Sequence, residues 1–272
     1  MLTERPLTAL RYPGGKSGAA TGGTGRWLAA RLPYSDGYCE PFAGMCGVLL
    51  QRRKSRCEWV NDTDGELVNW WTMVRDQNEA LVRLLSATPR WSEALWAEAD
   101  RRLTAGVADP LWQAYWWTVR SAWSMAGGGR NVGRMVGKAL RNETPLPAKI
   151  AGLYDRIRDV HIACEDAVRL LGRLAASSYW TIYCDPPYAG TATEFYQDQA
   201  YDRQALSEVL LAQKSFAAVS GYGIEWDHLG WYRQSVVTSS TISPSEDGSS
   251  SRRVEVIWSN RPLPGEQARL PI

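Results

Sequence analysis

Four short apolar or β-branched runs in this chain each end in an acid, and this recurrence constrains the fold more than any other feature. Gly37–Cys39 leads to Glu40, Glu58–Asn61 to Asp62, Val160–Cys164 to Glu165 and Asp166, and Tyr179–Cys184 to Asp185. Short apolar runs of this kind read as buried strands. Helical stretches intervene. Glu66–Leu85 carries Leu67, Trp70, Trp71, Val74, Leu81, Leu84 and Leu85 near helical spacing, and Asp202 is placed to cap a helix reaching Gln213. Strands alternating with helices predict an α/β fold with a mostly parallel sheet. Ligands of such sheets sit beyond the carboxyl ends of the strands, where the acids fall. Phe216–Ser220 reads as a further strand. Ser235–Thr241 and Arg253–Ser259 alternate on either side of a Ser-rich stretch and predict an antiparallel pair.

The interval from about 71 to 149 breaks the alternation. It is helical and Trp-rich, then Gly- and Arg-rich, and reads as an inserted subdomain (71–149) in a body made of 1–70 and 150–272. Eight of the 14 tryptophans lie between residues 70 and 123, which predicts a small aromatic core belonging to the insert. Charge is also uneven. The chain's +2 conceals six basic residues against one acid, Glu143, over residues 120–149. Arg120, Arg130, Arg134, Lys138 and Arg141, around the flexible Gly127–Gly129, suit a phosphate backbone; a merely solvated basic loop is the alternative.

Composition narrows the rest. Hydrophobic residues at 44% and charged residues at 22% are ordinary for a globular protein. Five Cys without a CxxC pair, beside two His, predict neither a zinc site nor a disulfide framework, hence a reduced, cytoplasmic protein without a metal. No apolar run approaches the roughly 18 residues of a membrane span.

Three constellations carry chemistry. Arg11-Tyr-Pro-Gly-Gly-Lys16 pairs a close-approach backbone with a cation, although it lacks the spacing and the preceding strand of a phosphate loop. Glu40-Pro-Phe-Ala-Gly-Met-Cys-Gly47 follows a strand and leads into Val48–Leu50, which reads as helical. A glycine-rich strand-to-helix turn is where nucleoside cofactors approach the backbone. Asp62 lies 22 residues after Glu40, the distance at which a carboxylate holds the hydroxyls of a ribose; it also suits a helix cap. Asp185-Pro-Pro-Tyr188 is the most specific. Its prolines cannot continue a central strand, and they hold an acid and an aromatic ring on one stiff turn. A carboxylate, a carbonyl and a planar ring match an exocyclic amino group on a heterocycle.

In this order, YPGGK, EPFAGMCG, Asn61-Asp62, an insert and DPPY resemble the Dam-like, permuted (D12-type) adenine-N6 DNA methyltransferases. The likeness extends over essentially the whole chain, to Ser251-Arg-Arg-Val-Glu-Val-Ile-Trp-Ser-Asn260. It implies a Rossmann-like S-adenosylmethionine-dependent methyltransferase sheet with an inserted helical DNA-recognition subdomain. It implies that Tyr12, Lys16, Phe42, Gly44, Asp62, Asp166 and Asp185 contact S-adenosylmethionine. It implies that Asp185, Pro186 and Tyr188 hold a flipped adenine, and that Thr191 and Thr193 touch the DNA backbone. Double-stranded DNA is the implied partner, and a cognate restriction endonuclease is left open. The chain departs from the family at Cys46, where a second glycine belongs, and at Tyr12, where Trp is frequent. RNA adenine, cytosine N4 or a protein amide remain alternative acceptors, and a non-catalytic DNA-binding module remains the alternative outside catalysis.

Overall fold

Alternation along the strands sorts the side chains onto two faces, and each face is covered by helices. The structure is a computed structural model that describes residues 7–10, 12, 15–16, 23–89, 92–124, 145–188, 201–244, 250–264 and 268–269. After a short helix α1 (Gly23–Ala29), five parallel strands are β1 (Gly37–Glu40), β2 (Cys57–Asn61), β3 (His161–Ala163), β4 (Trp180–Cys184) and β5 (Phe216–Tyr222). Three more, β6 (Tyr232–Pro244), β7 (Ser250–Ser259) and β8 (Ala268–Arg269), join as an antiparallel extension with β7 against β5. The order across the sheet is 3-2-1-4-5-7-6-8. The first seven strands have the topology of the Rossmann-like S-adenosylmethionine-dependent methyltransferases.

On one face Tyr38, Tyr183, Ala218 and Ile257 enter the same buried cluster as Met45, Leu49 and Val60. On the other, Cys39, Ile182, Cys184, Val219, Val256 and Trp258 meet α8 (Ala167–Leu174) and α9 (Arg203–Leu211). β1 and β4 are buried along their whole length, as expected for parallel strands covered on both sides. The predicted antiparallel pair is present, with Val236 opposite Glu255.

Between β2 and β3 run α2 (Gly65–Asp76), α3 (Asn78–Ser86), α4 (Glu93–Ala105), α5 (Pro110–Ala122), α6 (Leu146–Ala151) and α7 (Tyr154–Ile157). Here three expectations are corrected. The helical run Glu66–Leu85 is two helices. Gln77 leaves helical geometry at φ −130°, and the Asn78 side chain donates to the carbonyls of Val74 and Ile150, a side-chain bond competing with the helix ladder. Val48–Leu50 leads into a single 3-10 turn, Leu49–Gln51, because Arg52 is already extended. The aromatic residues do not form a core of their own. Trp70, Trp71, Trp117 and Trp123 share one cluster with Tyr38 and Val60, so these helices are welded to the sheet face by apolar burial. Trp96 and Trp116 pack against that cluster partly buried, and among the described tryptophans of this interval Trp112 is exposed.

Candidate active site

The glycine-rich turn after β1 has a backbone that side chains resist. Gly44 sits at φ +48° and Cys46 at φ +51°, the left-handed region that glycine enters freely and L-residues enter at a cost. Three tethers fix the turn. Trp71 donates its indole N–H to the Gly44 carbonyl (2.8 Å), and the Gly44 amide donates to Asp62 Oδ2 (2.9 Å). The turn also meets α1, where a Cβ on Gly25 would overlap the Gly47 carbonyl oxygen. The Gly25 amide donates to the Lys16 carbonyl (2.8 Å), so the same close approach places Lys16.

Asp62 follows β2 directly. Its Oδ1 accepts the Asp64 amide at 3.0 Å while Oδ2 accepts Gly44. Desolvation raises its pKa, and these two backbone bonds oppose the rise. Asp64 caps α2 through the amides of Glu66 and Leu67, and takes the Tyr12 hydroxyl at 3.4 Å. The Tyr12 ring lies 3.8 Å from where a Cβ on Gly44 would stand. Asn61 ties the loops together. Its amide donates to the Pro41 carbonyl (2.9 Å) and the Glu165 carbonyl (3.0 Å), and its oxygen accepts the Glu165 amide. Asp166 caps α8 through the Arg169 amide (2.9 Å). Phe42 meets Tyr201 edge to face at 5.7 Å.

The second half of the site lies beyond β4. Lys16 Nζ is 2.7 Å from both carboxylate oxygens of Asp185, 2.8 Å from the Tyr188 hydroxyl and 3.1 Å from Glu255 Oε1. The Tyr188 hydroxyl is 2.7 Å from Asp185 Oδ1 and 3.0 Å from Glu255 Oε1, and its one proton can go to either carboxylate. The Tyr188 ring meets Tyr222 edge to face at 4.5 Å. Lys16 and Glu255 side chains each keep 8% exposure and Asp185 keeps 18%, so among these three Asp185 is the most open to an incoming group. Burial alone would lower the Lys16 pKa, but the charges of Asp185 and Glu255 outweigh it and hold the ammonium above its ordinary value. Burial raises the Asp185 pKa, Lys16 opposes this, and Glu255 adds to it. Burial also drives the Tyr188 phenol upward, aided by both carboxylates.

Glu40 stands at the end of β1, between the two halves. Its Oε1 accepts the Tyr38 hydroxyl (2.7 Å) and the Leu49 amide (2.6 Å). Burial pushes its pKa up to about 7 against those two bonds.

No protein-family model matches the chain, and no curated protein matches it either. The strand order is therefore what ties the chain to known chemistry, and it supports a methyl-transferring enzyme that uses S-adenosylmethionine in general terms. The residues present suit that cofactor. Gly44 brings bare backbone beside the Tyr12 ring, and both oxygens of Asp62 are aimed by amides with lone pairs left for hydroxyl donors.

The structure brings Tyr12, Gly44 and Asp62 together, and Lys16, Asp185 and Tyr188 together. Pro186, in the turn between Asp185 and Tyr188, is buried. Arg120 is engaged inside the protein, 2.8 Å from Glu66 and 3.7 Å from Asp100. Arg130, Arg134, Lys138, Arg141, Thr191 and Thr193 lie outside the described residues. Sequence reasoning missed Glu255 as a site residue. The available signal was an acid among Val254, Val256, Ile257 and Trp258 in a strand, since a buried acid calls for a cation or donor partner. It also missed Trp71 as a tether of the turn, which no spacing reveals.

Proposed function

We propose that the protein transfers a methyl group from S-adenosylmethionine to N6 of adenine in double-stranded DNA. The observation that carries this reading is the Asp185 carboxylate on its Pro-Pro turn, with an N–H donor, Lys16, bonded to both oxygens. A carboxylate arranged to accept N–H bonds at the carboxyl end of a central strand is what an exocyclic amine requires.

Adenine N6 is a weak nucleophile because its lone pair is delocalised into the ring. Asp185 and the Pro186 carbonyl accept its two N–H bonds and favour a pyramidal nitrogen with the lone pair free, and once the nitrogen is methylated one of these two protons leaves it for Asp185 or for water. Tyr188 offers its ring to the base. Tyr12, Lys16, Phe42, Gly44, Asp62 and Asp166, with Asp185, would hold the cofactor, whose sulfonium supplies an already activated methyl group. The protein's own contribution is alignment, an effect worth several kcal/mol when the reacting atoms are held near contact. Because N6 lies inside a duplex, the base must leave the stack, at a cost of a few kcal/mol. Arg130, Arg134, Lys138, Arg141, Thr191 and Thr193 are assigned to the DNA backbone from sequence, which makes binding strongly salt-dependent.

Asp185→Ala tests the mechanism. We expect S-adenosylmethionine affinity, measured calorimetrically, to fall no more than about tenfold, since six other residues still hold the cofactor, while labelled-methyl transfer to unmethylated duplex DNA falls by at least about a thousandfold. Retained transfer overturns the role of Asp185. Incorporation into RNA or protein instead of DNA overturns the substrate. Expression in a methylation-free bacterium, followed by sequencing that detects modified bases, distinguishes adenine N6 from cytosine N4 and names the site.

A further inference from the structure

Glu255 joins the Lys16 cluster from the closing Ser251–Asn260 stretch, to which the family likeness assigns no role, and the sheet topology explains why it is there. β7 runs antiparallel to β5, so its early residues lie beside the carboxyl end of β5. The register sets Glu255 opposite Tyr222, whose ring in turn meets Tyr188. A parallel strand at this place would put the same residue at the far edge of the sheet.

Among the described residues, the cluster holds two carboxylates against one ammonium. Lys16 reaches Asp185 at 2.7 Å and Glu255 at 3.1 Å, and the Tyr188 hydroxyl reaches the same pair at 2.7 and 3.0 Å. Each donor therefore has two alternative carboxylates within bonding distance. This matters because Asp185, as it stands, has both oxygens engaged by Lys16 and one of them also by Tyr188. An amine entering the site competes for those lone pairs. With Glu255 in reach, the ammonium keeps a carboxylate counter-charge when Asp185 is taken, which matters because a buried charge is costly without an opposite charge beside it.

We propose that Glu255 is a positioning residue for methyl transfer: it receives Lys16 and the Tyr188 hydroxyl when the target amine takes their place on Asp185. The inference rests on the methyl-transfer reading above. No proton changes owner in this exchange. Lys16 remains an ammonium, Tyr188 remains a phenol, and only their acceptors change. Glu255 acts through these two side chains and has no contact with the amine.

The test compares Glu255→Gln, which keeps the shape and removes the charge, with Glu255→Asp and with Lys16→Met. For E255Q we expect turnover at saturating DNA and cofactor to fall about 10- to 100-fold, the loss typical of a misplaced acceptor. Its cofactor affinity stays within threefold by calorimetry. E255D recovers part of the turnover. The double variant K16M/E255Q is no slower than K16M alone, because the two changes break one arrangement. Wild-type turnover in E255Q overturns the proposal, and so do multiplying losses in the double variant. If E255Q melts below the assay temperature, E255D decides: lowered turnover with normal cofactor affinity supports the proposal, and wild-type turnover overturns it. A wild-type protein that transfers no methyl group removes the methyl-transfer reading and this inference together. An active wild type beside an unimpaired E255Q removes this inference alone.

Discussion

Asp62 and Asp185 follow strands on either side of β1, and they are held in opposite ways. Asp62 is gripped by backbone amides, those of Gly44 and Asp64. Its partners cannot leave without moving the chain. Asp185 is gripped by side chains, Lys16 and Tyr188, each of which has Glu255 as an alternative acceptor. Its partners can exchange while the backbone stays still. The difference fits two tasks: a carboxylate that only binds benefits from a rigid frame, whereas one that must accept a new donor needs partners with somewhere else to go.

Asp62→Ala attacks the rigid half and should cut deepest into cofactor binding. A carboxylate that accepts hydroxyl donors contributes about 1.5–3 kcal/mol per charged hydrogen bond, so cofactor affinity should fall about 10- to 100-fold. Turnover at saturating cofactor should change only a few-fold. Titration calorimetry and saturation kinetics on the same preparation separate these. If binding is intact and turnover collapses, the division between a binding carboxylate and a reacting one is wrong.

Glu40 sharpens the comparison because it has neither solution. It is buried with two neutral donors, and its pKa rises to about 7 from an ordinary 4.5. For an acid raised on folding, the native state holds the proton more tightly than the unfolded chain. Stability from this group is therefore fully present below about pH 4.5 and is lost as pH rises through 7. Glu40→Gln keeps an oxygen for Tyr38 and Leu49 and removes the charge. It should stabilise the protein at pH 8, by at most about 3 kcal/mol, and the gain should vanish near pH 5. Denaturant titrations at the two pH values check this. A pH-independent effect would mean that Arg52, which lies over the Tyr38 ring and opposes the rise, already neutralises Glu40.

The two halves were also unequally legible in the sequence. The strands, their terminal acids and the distance of Asp62 from the glycine-rich turn follow from local pattern, because each strand is short, apolar and closed by its acid; the Gly44–Asp62 bond does not. The partners of Asp62 are close along the chain. Those of Asp185 are 3, 169 and, through Tyr188, 67 residues from one another, and no window spans them. Lys16 and Tyr188 were found only because each sits in a motif. Glu255 lies in the Ser251–Asn260 stretch, but that likeness assigns it no role, and its place in the cluster depends on β7 running antiparallel beside β5. The break at Gln77 and the merging of the tryptophans into the sheet's core were illegible for a related reason. Helical periodicity reports which face is apolar, and says nothing about what that face meets.

Cys46 gives the smallest effect and tests the rigid frame itself. At φ +51° it holds the left-handed conformation that the glycine-rich turn demands, at a position fully buried against the core. An L-residue there costs about 1–2 kcal/mol, whereas glycine enters the region without that cost but loses about 0.5–1 kcal/mol of chain entropy on folding. Replacing Cys46 outright confounds this with the lost burial of the thiol. Comparing Cys46→Gly with Cys46→Ala removes most of that confusion, since both lose the sulfur. In a helix or strand the alanine variant would be the more stable. At Cys46 the order should reverse, with C46G more stable than C46A by about 0.5–1 kcal/mol in chemical denaturation. If alanine wins, the turn relaxes when the sulfur is removed, and the amide that aims Asp62 is less firmly set than its 2.9 Å bond implies.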